Sequence, residues 1–159
     1  MHRRLFLSLL PALLLDPFAI GAPSSPNFSG RWRQSSERSI PARTGDVILQ
    51  IDHRDPDMTV ETTILRSPTR HALQHYTTDG KIAISTGADG DEFHTSIVWR
   101  DQSLVFSIEE HEHGRIIHSR ETWTLIENGA ALERLRERSE SQDGTGKQTI
   151  IYLREATNP

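Results

Sequence analysis

The sequence predicts an all-β protein, a single antiparallel up-and-down barrel of about eight to ten strands. Three observations predict it. From Asn27 onward, runs of alternating character are separated by turn residues every 8 to 14 positions, the rhythm of antiparallel sandwiches and barrels. Thr78-Asp79-Gly80, Asp89-Gly90, Glu127-Asn128-Gly129 and Asp143-Gly144 supply residues that accept the positive φ of tight hairpins. Leu104, Phe106 and Ile108 alternate with Val105, Ser107 and Glu109, which puts the apolar set on one face of a strand. Hairpins in series form a meander, and ten meandering strands cannot bury one face as an open flat sheet. Closure into a barrel is the economical solution.

In chain order, the candidate strands are 28–34, 46–53, 58–66, 70–77, 81–86, 93–100, 103–112, 115–127, 130–142 and 147–155. Residues 34–45 read as a longer loop or lid. Val47, Leu49 and Ile51 share one face of the second strand, and Trp123 and Leu125 share one with Glu121 on the eighth. The ninth dissents: Ala130-Ala131-Leu132-Glu133-Arg134-Leu135-Arg136-Glu137-Arg138 is built from helix formers, with apolar residues at helical spacing. It is assigned to a strand because it lies between two glycine-containing turns, and because Trp123 and Leu125 need a neighbour in the meander.

The domain plan follows. Met1-His2-Arg3-Arg4, an apolar run from Leu5 to Leu15 and a small-residue exit make residues 1–21 a signal peptide, with cleavage expected after Gly21. The apolar run is shorter than the roughly 18 residues a membrane span needs, so no stable anchor is expected after cleavage and the destination is the periplasm or the exterior. Residues 22–26 read as a flexible mature N-terminus, 27–155 as the barrel and 156–159 as a tail. There is no cysteine, so no lipoprotein anchor or disulfide framework is expected and the core alone must hold the fold. The formal net charge is −4, and loss of Arg3, Arg4 and Asp16 makes it one unit more negative. That sign argues against a nucleic-acid partner. Nothing in the sequence sets an oligomeric state.

Asn27-Phe28-Ser29-Gly30-Arg31-Trp32 resembles the opening strand of lipocalin-like proteins, in which a Gly-x-Trp pair starts the barrel. The mature chain is also similar to a group of small secreted bacterial lipocalin-like (calycin-type) β-barrel proteins of unassigned function. The further marks are Tyr76-Thr77-Thr78-Asp79-Gly80-Lys81, Trp99 before a short turn into Ser103-Leu104-Val105, and Glu121-Thr122-Trp123-Thr124-Leu125 ending at Asn128-Gly129. The resemblance implies a closed barrel with a small-ligand cavity, and gives Gly30, Trp32 and Arg154 a structural role. It further implies that Arg154 stacks on Trp32 as a cation–π pair. One departure is that Tyr76 precedes Thr78-Asp79, where lipocalins carry Thr-Asp-Tyr.

Residues that could carry chemistry are few. His111 and His113 share a face of an extended strand, as do His71 and His75, which makes the first pair a weak metal candidate; a polar hairpin tip is the plainer reading. No Gly-x-Ser-x-Gly elbow or phosphate-cradling loop occurs, and Glu109 and Glu110 are adjacent and point to opposite faces. No catalytic residue and no cofactor is expected. The informative feature is charge in a core-facing register. If the Trp123 and Leu132 faces both point inward, Glu121, Arg134 and Arg136 enter the barrel, where they must pair with one another or with a ligand. The alternative, of equal weight from sequence, turns the arginines to solvent and makes Leu135 the core residue.

The leading reading is a binding module for a small apolar or amphipathic molecule, with a carboxylate on the ligand suiting the arginine pair. Glu121, Arg134 and Arg136 would be its polar contacts and Trp123, Phe106 and Tyr152 its walls. The others are a structural or interaction barrel filled by its own side chains, and an enzyme on the same scaffold.

Overall fold

The computed structural model describes residues 25–42, 44–87, 90–112, 114–138 and 146–156. Ten strands run in chain order: β1 (Gly30–Ile40), β2 (Val47–Arg54), β3 (Asp57–Ile64), β4 (Arg70–Thr77), β5 (Ala83–Thr86), β6 (Glu92–Arg100), β7 (Ser103–Glu112), β8 (Arg115–Ile126), β9 (Ala131–Arg138) and β10 (Lys147–Arg154). They form one antiparallel sheet in the order β4-β3-β2-β1-β10-β9-β8-β7-β6-β5. The first and last strands pair through Trp32 opposite Arg154 and Gln34 opposite Tyr152. The barrel is therefore up-and-down and nearly closed. Among the described residues no helix is long and apolar enough to cross a membrane.

The seam lies between β4 and β5, which are neighbours in sequence but not partners in the ladder. A tight hairpin was expected at Thr78-Asp79-Gly80. Instead this segment crosses to β6, where Asp79 bridges Val98 and the Gly80 N–H donates to the Ile97 carbonyl at 2.9 Å. The side chain of Asp79 turns the chain here: Oδ1 accepts from the Lys81 backbone N–H at 3.3 Å, an Asx turn, and the carboxylate also accepts from Thr77 Oγ1 at 2.6 Å and Lys81 Nζ at 2.5 Å. The turns expected at Asp89-Gly90 and Asp143-Gly144 include residues outside those described.

Two further expectations are corrected. The lid assigned to 34–45 is mostly strand, because β1 continues to Ile40 with its register shifting between Ser35 and Ile40. Ser39 makes this bulge possible: its hydroxyl donates to the Ser35 carbonyl at 2.6 Å and accepts from the Ile151 N–H at 3.1 Å, so a side chain stands in for a missing ladder partner. The fifth strand is shorter than 81–86 and begins at Ala83. The helix-forming ninth segment is a strand, as assigned, from Ala131 to Arg138; the expected 139–142 extension lies outside the described residues.

Inward positions on successive strands are Trp32 and Gln34, Leu49 and Ile51, Met58 and Val60, Ile97, Leu104 and Phe106, Trp123, Leu132, and Ile150 and Tyr152, all buried. They are packed unevenly. Phe28, Trp32, Leu49, Ile51, Met58, Ile97, Leu104, Leu132 and Tyr152, each 1 % exposed or less, concentrate toward one end. That end is capped by the entering chain. The Trp32 indole N–H donates to the Phe28 carbonyl at 3.0 Å, Phe28 packs on the rings of His53 and Trp99 at 5.9 and 6.0 Å, and Arg154 lies over Trp32 at 4.0 Å from the ring centre. Arg154 also donates to the carbonyls of Ser29 at 2.6 Å and Gly129 at 2.8 Å. Gly30, at φ +143°, lets the backbone pass beneath it, since a Cβ there would collide with the Arg154 guanidinium.

Candidate functional site

The other half of the barrel is not filled. A cavity of about 320 Å³ is lined by apolar side chains that include Leu49, Val60, Ile64, Phe93, Phe106, Ile108 and Trp123, and by the polar side chains of Thr62, Gln74, Tyr76, Thr95, Glu121, Arg134 and Arg136. Its walls include both banks of the seam, β4 through Arg70, Ala72, Gln74 and Tyr76, and β6 through Phe93 and Thr95. The exposed Arg70 marks its solvent end.

The strand register builds the polar end. Glu121 on β8 faces Phe106 on β7 and Arg136 on β9, while Trp123 faces Leu104 and Arg134. Directly opposed residues share a face, so Glu121, Trp123, Arg134 and Arg136 all enter the barrel. The inward alternative is the one adopted, and Leu135 lies on the outer face opposite Thr122 and Thr149. Glu121 is 2 % exposed. It accepts from Arg134 Nε at 2.7 Å and Nη2 at 2.6 Å, a bidentate fork, and from the Trp123 indole at 3.1 Å.

Burial alone would raise the Glu121 pKa, but the Arg134 guanidinium outweighs it and holds the carboxyl below the usual range. Arg134 is raised, since the adjacent Glu121 charge overcomes its own burial. Arg136 is less well served. Its Nε stands 3.5 Å from Glu121 Oε1 and has no hydrogen-bond partner among the described residues, and burial lowers its pKa. Two guanidinium groups thus share the Glu121 carboxylate, which Arg134 grips directly while Arg136 approaches only at 3.5 Å and is the less compensated of the two. Phe106 and Trp123 pack beside them with ring centres 4.5 Å apart and planes tilted by 32°, and Arg134 lies over the Trp123 ring at 5.5 Å. Tyr76 meets Phe106 edge-on at 6.1 Å, and burial pushes its hydroxyl up to about 12.

Five of the six residues assigned to the ligand line the cavity: Glu121, Arg134, Arg136, Trp123 and Phe106. Tyr152 lies in the filled half, 1 % exposed, opposite Leu132 and Gln34 and beside Arg134. Gly30, Trp32 and Arg154 form the cap already described. His111 sits on the outer wall, far in character from the cavity, and His113 is outside the described residues. Tyr76, Gln74 and Phe93 were missed. On β4 the inward set Arg70, Ala72, Gln74 and Tyr76 mixes charge, amide and apolar groups, so no hydrophobic alternation distinguishes its two faces.

The architecture is that of a lipocalin-like up-and-down barrel, ten antiparallel strands in one nearly closed sheet. No protein-family model matches the chain, and no curated protein matches it in sequence. Solved structures match the fold. The REP1-NXSQ fatty acid transporter is 12% identical with a TM-score of 0.60, the match covering 82% of this chain and 98% of that one. A mutant of the fluorescent protein UnaG is 15% identical with a TM-score of 0.61, covering 82% and 97%. The zebrafish ileal bile acid-binding protein, in complex with cholic acid, is 14% identical with a TM-score of 0.56, covering 80% and 98%.

Proposed function

We propose that this protein is an exported carrier that holds a small amphipathic molecule, apolar along its length and acidic at its head, without transforming it. The observation that carries the reading is the half-empty barrel. The cavity volume of about 320 Å³ falls at the small end of ligand pockets, and its charged end holds a half-buried guanidinium, Arg136, whose Nε has no hydrogen-bond partner among the described residues. A carboxylate-bearing ligand would supply a closer counter-charge than Glu121 does at 3.5 Å and accept from the Arg136 fork, while its apolar body lay against Phe106, Trp123 and Ile108. That a fatty acid transporter and a bile acid-binding protein share the fold is consistent with such a ligand class.

The titratable groups inside favour holding over chemistry. A general acid or base works best with a pKa near the operating pH. Here Glu121 is pushed below the usual carboxylate range and Tyr76 up to about 12, both away from neutrality. The side-chain-filled reading describes the Trp32 half, not the Glu121 half. The basic start and apolar run of residues 1–21 support export as a signal peptide.

Trp123 is a built-in reporter. Titrating laurate into the protein should change Trp123 emission saturably with one equivalent bound, and dodecanol should bind more weakly. A linear, unsaturating response to both would remove the carrier reading.

A further inference from the structure

The outer wall of the barrel carries a second constellation, independent of the cavity. His94 on β6, Glu109 on β7 and His118 on β8 oppose one another directly across three adjacent strands. His111 lies two residues beyond Glu109 on the same face. Neighbouring strands are about 4.8 Å apart, so this register gathers three imidazoles around one carboxylate. The donor atoms of His94, Glu109 and His111 all lie within 4.8 Å of one another. The rings of His94 and His111 stack with centres 4.5 Å apart and planes at 29°. One oxygen of Glu109 is 3.9 Å from His111 Nε2, and the other is 3.7 Å from His118 Nδ1.

We infer that His94, Glu109 and His111 form a binding site for a divalent transition metal of the Zn²⁺ or Cu²⁺ class, beside which His118 stands 3.7 Å from the Glu109 carboxylate. His111 Nε2 is buried without a hydrogen-bond partner among the described residues, although it faces a carboxylate and a second imidazole; a metal lying between the three would use it. Glu92 contacts His94 Nε2 at 2.7 Å, the carboxylate–imidazole pairing that fixes a ligating ring and raises its basicity. Imidazole nitrogen with one carboxylate oxygen is a donor set for Zn²⁺ or Cu²⁺; Ca²⁺ and Mg²⁺ require mostly oxygen. Bonds of about 2.0–2.2 Å place tetrahedral donors roughly 3.4 Å apart, so the side chains must close by about an ångström. They have room to do so, because His94 and His111 are only partly covered and Glu109 and His118 are exposed. A groove of about 520 Å³ lined by His94, Glu109, His118 and Ile82 reaches the cluster and leaves space for water or an external ligand in the remaining position.

The test is calorimetric titration of the untagged, metal-stripped protein with ZnCl₂, CuCl₂ and, separately, MgCl₂. One equivalent of Zn²⁺ and of Cu²⁺ should bind, copper the more tightly, with no response to Mg²⁺. The double variant His94→Asn/His111→Asn should lose at least about tenfold in affinity, and Glu109→Gln should weaken binding as well. The variant His71→Asn/His75→Asn, on β4, should bind as the wild type does. All these residues are at the surface, so the fold is expected to survive each change, and circular dichroism checks that it does. Absence of binding to the wild type overturns the inference. So does binding that survives loss of His94 and His111, or that depends on His113 and not on His94.

Discussion

Glu121→Gln isolates the electrostatics of the barrel interior. The amide keeps the shape of the carboxyl and can still accept from the Trp123 indole, but it removes the negative charge that Arg134 grips with two hydrogen bonds of 2.7 and 2.6 Å and that Arg136 approaches at 3.5 Å. Breaking one side of a buried pair typically costs about 3–5 kcal/mol, because the surviving charge is left without compensation. The side chains of Arg134 and Arg136 keep 22 % and 29 % of their exposure, so water in the cavity offsets part of the loss and the low end, about 3 kcal/mol, applies. In a domain of this size that corresponds to a fall in Tm of roughly 10 °C.

Differential scanning calorimetry reads it directly. A second arm tests the reasoning from the opposite side: with Glu121 neutral, an anionic ligand would restore a carboxylate beside the two guanidinium groups, so saturating laurate should raise the Tm of Glu121→Gln by more than it raises that of the wild type. A Tm within about 2 °C of wild type would refute the argument, since it would mean that solvent and not Glu121 balances the two guanidinium groups.

Arg136→Met should weaken laurate binding about tenfold, or about 1.4 kcal/mol, while leaving dodecanol binding unchanged, as competition against a fluorescent amphiphile would show. Gly30→Ala should destabilise the protein by about 1–3 kcal/mol in urea unfolding, because alanine is strained at this φ and its methyl displaces Arg154 from the Ser29 carbonyl. Stability should also fall on mild acidification. Burial holds the pKa of His53 below its ordinary 6.5, so below that pH the unfolded chain takes up a proton that the folded state refuses. The loss starts near pH 6.5 and proceeds, at no more than about 1.4 kcal/mol per pH unit, down to the depressed folded value. The shifted carboxylates Asp46, Asp55 and Asp79 are lowered from an ordinary 3.8, and Glu121, Glu127 and Glu155 from an ordinary 4.5, so they act only in more acidic solution. Urea midpoints between pH 7 and 5 should therefore drift downward in the wild type and stay level in His53→Gln; an equal drift in both would contradict this account.

Particular residues show where sequence reasoning reached and where it stopped. Alternation along β7 and β8 exposed the inward set because Leu104, Phe106 and Trp123 contrast with polar neighbours, and the barrel followed from that contrast. On β9 propensity pointed to a helix, and only the need of Trp123 and Leu125 for a partner kept it a strand; the structure supplies the reason in Leu132 opposite Leu125 and Arg134 opposite Trp123. The orientation of Arg134 and Arg136 could not be read, because leucines stand at both 132 and 135 and mark either face equally well. The extension of β1 depended on the hydroxyl of Ser39 replacing a backbone partner, a substitution that leaves no periodic trace. The seam depended on a local carboxylate turn at Asp79. The outer histidine cluster is a product of register: His94, Glu109 and His118 are 15 and 9 positions apart in sequence and meet only when three strands are aligned.

The central claim is that the Glu121 half of the barrel encloses a guest. Native mass spectrometry of the protein purified from its own source, under conditions gentle enough to retain non-covalent ligands, tests that most directly. The account predicts a species heavier than the polypeptide by the mass of one small acidic amphiphile, lost on denaturation and regained on adding back the extract. Only the bare polypeptide mass, with no uptake of added fatty acids, would contradict it.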